Sequence, residues 1–149
     1  MTYLQIFFLM LAACGQKSGS TETPTSAASE DKAQERLQVK LGSTYESGWN
    51  LRTVQTATQS LGQPKLFRVT LLSGNNYRFL ATADQNAKDI ALSIVDEDGQ
   101  AITSHDSGGI EADLTVQADS SRSVYLAAAV QTMKGSADQS GLAVGVMYK

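Results

Sequence analysis

From residue 52 to the end of the chain, apolar side chains recur at every second position in short runs, and Gly, Asn, Asp and Ser separate the runs. A period of two sends alternate side chains to opposite faces of a strand, so each run suits a sheet with one face in a core. In 52–60, Thr53, Gln55, Ala57 and Gln59 alternate with Val54, Thr56 and Thr58, a polar and β-branched stretch suited to an outer or edge strand. Phe67, Val69 and Leu71 then alternate with Arg68, Thr70 and Leu72, Ser73-Gly74-Asn75-Asn76 makes a turn, and Tyr77, Phe79 and Ala81 continue one face of the returning strand. Those two strands are expected to form a hairpin. Ile90, Leu92 and Ile94 alternate with Ala91, Ser93 and Val95 up to Asp96-Glu97-Asp98-Gly99, whose Gly suits the positive φ of a bulged turn, and 100–104 is the short return strand. Ala112, Leu114 and Val116, then Val124, Leu126, Ala128 and Val130, and finally Leu142, Val144 and Val146 supply three more. Seven or eight short strands at spacings of about 8–20 residues predict an antiparallel β-sandwich over 52–148 rather than any βαβ arrangement.

Ahead of the strands the period differs. Residues 30–41 open with Glu30 and Asp31, which suit a helix N-terminus, and place Ala33, Leu37 and Leu41 at i, i+4 and i+8 before Gly42. This predicts a short amphipathic helix ended by Gly42; the competing reading takes Leu37, Val39 and Leu41 as strand alternation. Residues 15–29 are almost entirely Gly, Ser, Thr, Ala, Pro, Gln and Glu, the composition of a flexible, disordered tether with a mean span of roughly 20 Å.

The segment 3–13 is apolar and uncharged. It is too short to cross a hydrocarbon core of about 30 Å as a helix and fits the apolar region of an export signal. Its end, Leu11-Ala12-Ala13-Cys14, resembles the bacterial lipobox. The resemblance implies a lipoprotein: a signal peptide over 1–13, cleavage before Cys14, a diacylglycerol on the Cys14 thiol and a fatty acyl group such as palmitate on its new amino group. The expected organisation is therefore the signal peptide, lipidated Cys14 with a tether over 14–29, and one domain over 30–149. The expected location is the cell envelope on the periplasmic side of a lipid bilayer, the outer membrane favoured over the inner.

Composition narrows the partners. The formal net charge is −3 and no long Lys/Arg run occurs, so the chain lacks the electrostatic footprint of a nucleic-acid binder and the polybasic patch that holds proteins to anionic lipid. Membrane contact is expected through acyl chains, at about 0.8 kcal/mol per buried methylene. By the lipobox resemblance the lone cysteine is the one expected to be lipidated, which would leave the exported domain without a disulfide. With 42% hydrophobic residues, 18% charged residues and two prolines, the part after residue 30 can bury a core of its own.

Phe67-Arg68-Val69-Thr70-Leu71, Gly74, Tyr77-Arg78-Phe79, Asp89 through Asp96, Asp98-Gly99 and Ser123-Val124-Tyr125-Leu126 together resemble the bacterial pre-peptidase C-terminal domain over residues 65–148. The usual Gly before the late Tyr is Ser123 in this chain. The resemblance implies a jelly-roll-like sandwich found beside secreted peptidases and in envelope proteins, noncatalytic, and in some members binding calcium or an extracellular polymer.

Few residues suggest chemistry. His105 is the only histidine, in Ser104-His105-Asp106-Ser107. Consecutive residues of an extended segment point to opposite faces, which is the wrong geometry for a nucleophile, base and orienting acid, so no catalytic residues are assigned and no enzyme is expected. Asp84, Asp89, Asp96, Asp98, Asp106 and Asp113 concentrate near strand ends. Calcium accepts such carboxylates with loop carbonyls, and Asp89, Asp96 and Asp98 are the candidate ligands, although 96–99 lacks the spacing of an EF-hand loop and turn formation explains the same residues. One His and a lipidated Cys cannot build a tetrahedral zinc site. Trp49, with Tyr45 four residues earlier, either offers an exposed aromatic platform for a sugar ring or a partner protein or caps the open end of the sandwich core. The expected function is a membrane-anchored, noncatalytic binding or accessory module facing an envelope protein or polysaccharide. The alternatives are an inhibitor or chaperone of one exported enzyme, or a carbohydrate- or calcium-binding module.

Overall fold

In the computed structural model, which describes residues 26–106 and 108–149, the chain forms one helix, α1 (Ser26–Glu46), followed by eight strands. These are β1 (Asn50–Ser60), β2 (Lys65–Leu71), β3 (Asn76–Ala83), β4 (Ala87–Val95), β5 (Ala101–Asp106), β6 (Glu111–Gln117), β7 (Arg122–Met133) and β8 (Gln139–Tyr148). The signal peptide, Cys14 and the tether as far as residue 25 lie outside the described residues.

The strands make two four-stranded antiparallel sheets, sheet A in the order β1-β8-β3-β6 and sheet B in the order β2-β7-β4-β5. That pair of orders is an eight-stranded jelly roll. The alternation set the faces as expected: Phe67, Val69, Leu71, Tyr77, Phe79, Ile90, Leu92, Ile94, Val124, Leu126, Leu142 and Val144 meet in one core between the sheets. β1 is an edge strand of sheet A, and β4 pairs with β5 across a turn in which Gly99 holds φ 80°.

The expected hairpin of β2 and β3 does not form. β2 pairs with β7, while β3 lies between β6 and β8 in the other sheet. The connection crosses the core and is fastened to other strands: Gly74 N, at φ 88°, donates to Ala118 O at 2.8 Å, and Asn76 N donates to Lys149 O at 2.9 Å. Alternation specifies which face of a strand is buried, and an inward face is buried equally well beside its sequence neighbour or across the core from it.

The helix is also longer than the expected 30–41. It starts within the segment read as tether and runs through Gly42, where an added Cβ would meet nothing within 4 Å. Tertiary contacts outweigh the roughly 0.5–1 kcal/mol that a mid-helix glycine costs. Ala33, Leu37 and Leu41 are buried in a second core with Leu80, Ala143 and Met147 on the outer face of sheet A. Near the helix start, the Glu30 carboxylate accepts from the Thr56 and Thr58 hydroxyls at 3.0 and 2.9 Å. Termination falls instead at Gly48, whose φ of 83° and N–H bond to Tyr45 O (2.9 Å) are those of a left-handed helix C-terminus.

β8 is consequently buried on both faces. Leu142, Val144 and Val146 enter the sandwich core, whereas Gly141, Ala143, Gly145 and Met147 lie under α1. Two glycines set the helix height. A Cβ on Gly141 would collide with the Ser29 carbonyl, and one on Gly145 would sit 3.3 Å from Leu41 Cδ2.

Candidate binding surface

Strand directions give the domain two poles. The lower pole carries the start of α1 and the β1–β2, β3–β4 and β7–β8 turns, tied together by Gly62 N to Val130 O, Asp84 N to Gly141 O and Lys134 N to Asn86 O at 2.8–3.1 Å. The upper pole carries the end of α1, the β2–β3, β4–β5 and β6–β7 turns and Lys149, whose Nζ donates to Ser47 O at 3.3 Å.

At the upper pole two clefts flank the start of β1. One, of about 370 Å³, lies between α1 and β1 and is lined by Leu37, Leu41, Tyr45, Leu51 and Val54 together with helix glutamines. The other, of about 290 Å³, is lined by Arg52, Leu72, Asn75, Tyr77 and Tyr148. Its floor is organised by the Tyr77 hydroxyl, which accepts from Leu72 N at 2.9 Å and from Arg52 Nη1 at 3.4 Å; the same Nη1 donates to Thr70 O at 2.6 Å. Tyr45, Leu51, Leu72 and Tyr148, all large and all exposed, therefore gather at one end of the molecule.

The structure separates the two aromatics of the expected platform. Tyr45 is 47% exposed on the rim of the larger cleft, whereas Trp49 is half-buried and packs against the core between α1 and sheet A. Trp49 therefore takes the capping role, over the helix-covered core rather than the open end of the sandwich. Leu72 and Tyr148 were not singled out by alternation. Their signal was an apolar residue on the outward phase of β2, directly after Leu71, and an aromatic at the end of β8.

The candidate calcium ligands do not converge. Asp89 and Asp96 are seven residues apart at opposite ends of β4, about 23 Å at strand rise, too far to share an ion. Each serves local structure. Asp89 Oδ2 accepts from Thr132 Oγ1 at 3.1 Å, and Asp96 Oδ1 accepts from Asp98 N and Gln100 N at 3.0 and 2.8 Å, an Asx turn that closes the β4–β5 connection and leaves Asp98 exposed. Among the described residues no three His, Cys, Asp or Glu side chains gather as a metal-holding group.

His105 is exposed on edge strand β5 opposite Leu92, and Ser104 stands opposite Ser93, so the two face different sides of sheet B; Ser107 lies outside the described residues. On the outer face of sheet A, Arg78 forks onto Asp113, with Nε 3.1 and 3.0 Å from the two carboxylate oxygens and Nη2 bonded to Oδ2. The hydrogen bonds and the charge of Asp113 raise the Arg78 pKa further above its ordinary value, against the lowering effect of burial. The lower pole holds a third, polar cleft of about 410 Å³ lined by Ser26, Ser29, Thr58, Asn86, Lys134 and Asp138, with Gln139 beside them. No protein-family model matches the chain, and no curated protein matches it in sequence.

Proposed function

We propose that the chain is a lipid-anchored, noncatalytic binding module of the bacterial cell envelope, held to the bilayer through acylated Cys14 and carrying a pre-peptidase C-terminal-like sandwich. The polarity of the domain carries this reading. α1 begins at the lower pole, so a lipid tether ending there would leave the opposite end, with its clefts and exposed Tyr45, Leu51, Leu72 and Tyr148, facing away from the membrane. Exposed apolar residues that cluster at one end, rimmed by polar side chains, have the character of an interaction surface. The partner that fits is an envelope protein or polysaccharide presenting an apolar or aromatic edge, with Arg52 at the smaller cleft for a polar anchor.

Two measurements test it together. The wild-type chain should fractionate with membranes, and Cys14→Ser should release it; retention of Cys14→Ser would end the lipoprotein reading. Crosslinked capture from intact envelopes should recover a partner that the double variant Leu72→Asp, Tyr148→Asp loses and the lower-pole variant Lys134→Ala keeps. Equal capture by both variants would place recognition elsewhere. A single stoichiometric enzyme in the capture would specify the module as an inhibitor or chaperone.

A further inference from the structure

Two buried acceptor oxygens at the lower pole have no hydrogen-bond partner among the described residues, Asp84 Oδ2 and Gln59 Oε1. They belong to one cluster. Gln59 stands directly opposite Ser140 in the β1–β8 ladder, which brings their Cβ atoms to about 4.5–5.5 Å on one face, and the Ser140 hydroxyl donates to Asp84 Oδ1 at 2.7 Å. Asp84 and Ser140 are fully buried and Gln59 is 4% exposed. The other half of each side chain is already committed. Gln59 Nε2 donates to Ala128 O at 2.8 Å, which fixes the amide and leaves its oxygen as the orphan. Both donors to Asp84, Ser140 Oγ and Asn86 N (2.9 Å), go to Oδ1.

No cationic side chain among the described residues pairs with Asp84 either. Asp84 is in none of the described ion pairs. A cation held between the two oxygens would satisfy both acceptors and offset the buried carboxylate together. The polar lower-pole cleft borders the cluster at Asn86, which donates to Asp84, whereas Thr58 and Gln139 in its wall face the side of sheet A opposite to Gln59 and Ser140.

We propose that Asp84 Oδ2 and Gln59 Oε1 are the protein ligands of a small oxygen-seeking cation, with water completing its coordination. Calcium suits this set best, since it takes six to eight oxygens from carboxylates, amide carbonyls and waters in a flexible geometry. A single carboxylate places the affinity at the weak end of calcium sites, a Kd of about 10⁻⁴–10⁻³ M. This site is distinct from Asp89, Asp96 and Asp98, and it stands whether or not the upper pole binds a partner.

The test is thermal melting of the detergent-purified full chain in choline chloride, titrated with Ca²⁺, Mg²⁺ or Na⁺. A cation at ten times its Kd should raise the melting temperature by roughly 5 °C. Asp84→Asn should abolish that rise and Asp96→Asn should keep it. Gln59→Glu places a second carboxylate in the site and should lower the half-saturating Ca²⁺ concentration about tenfold, a gain that a purely structural role for Gln59 does not produce. If Asp84→Asn fails to fold, Gln59→Glu decides alone. A rise from any of the three cations that depends on Asp84 and half-saturates at lower concentration in Gln59→Glu upholds the proposal. A melting temperature that none of them moves, a rise that survives Asp84→Asn, or a half-saturation unchanged in Gln59→Glu overturns it.

Discussion

The two sheets of the jelly roll differ in what lies on their outer faces. On sheet A the outward residues of β8 are Gly141, Ala143, Gly145 and Met147, and α1 covers them. On sheet B the outward row opposite Ser93 is Leu66 and Ala127, and the next is Arg68 and Tyr125 opposite Val95; the central residues Ser93, Ala127, Tyr125 and Val95 are only half-buried. Small side chains are common to both faces, so smallness alone does not attract a helix. What differs is the glycine pair, Gly141 letting the Ser29 backbone approach and Gly145 admitting the Leu37 and Leu41 side chains, and an α1 stripe of Ala33, Leu37 and Leu41 at matching height. The molecule therefore has one core that makes the fold and another that attaches a helix to it.

Substitutions in the two cores should part company. Phe67→Ala, in the sandwich core, is expected to cost about 3–5 kcal/mol and to lower the denaturant midpoint of the whole domain. Leu37→Ala should cost about 2–5 kcal/mol, read through the chain's single tryptophan: because Trp49 packs against the same cluster, its emission should shift to the red before the strands melt. Simultaneous loss of tryptophan and far-ultraviolet signals would make the two cores one cooperative unit. Gly48→Ala, forced into a left-handed conformation at φ 83°, should cost about 1–2 kcal/mol in chemical denaturation, whereas Gly42→Ala should be neutral or stabilising, since a Cβ there is unopposed. Ala127→Ser, on the uncovered face of sheet B, should stay within about 0.5 kcal/mol of wild type.

Legibility in the sequence followed the same division. Alternation identified the inward residues of the sandwich core, and Asp96 through Gly99 marked the β4–β5 turn, because strand period and turn chemistry are local properties. Neighbours were not legible. The four-residue link between β2 and β3 is long enough either to turn back or to cross to the facing sheet, and only the fastening of Gly74 and Asn76 to distant strands decides between them. Gly42 and Gly48 present the same residue to a local reading, yet tertiary packing carries the helix through the first and a positive φ stops it at the second. For the candidate binding surface, Tyr45 was named in advance, but Leu72 and Tyr148 acquired meaning only when the jelly roll brought the ends of β2 and β8 to one pole. Asp84 stood among the strand-end carboxylates in the sequence; its burial and its orphaned oxygen belong to the fold.

The course of α1 also determines how the domain would carry mechanical load. The helix rises from the lower pole along β8 and hands the chain to β1 only at the upper pole. A pull on Ser26 directed away from the upper pole would slide α1 lengthwise over β8, straining the Ser29, Leu37 and Leu41 contacts together instead of opening them one after another. Load shared in shear resists far better than load applied to a peeling front, and the sandwich core would be reached only after the helix had given way.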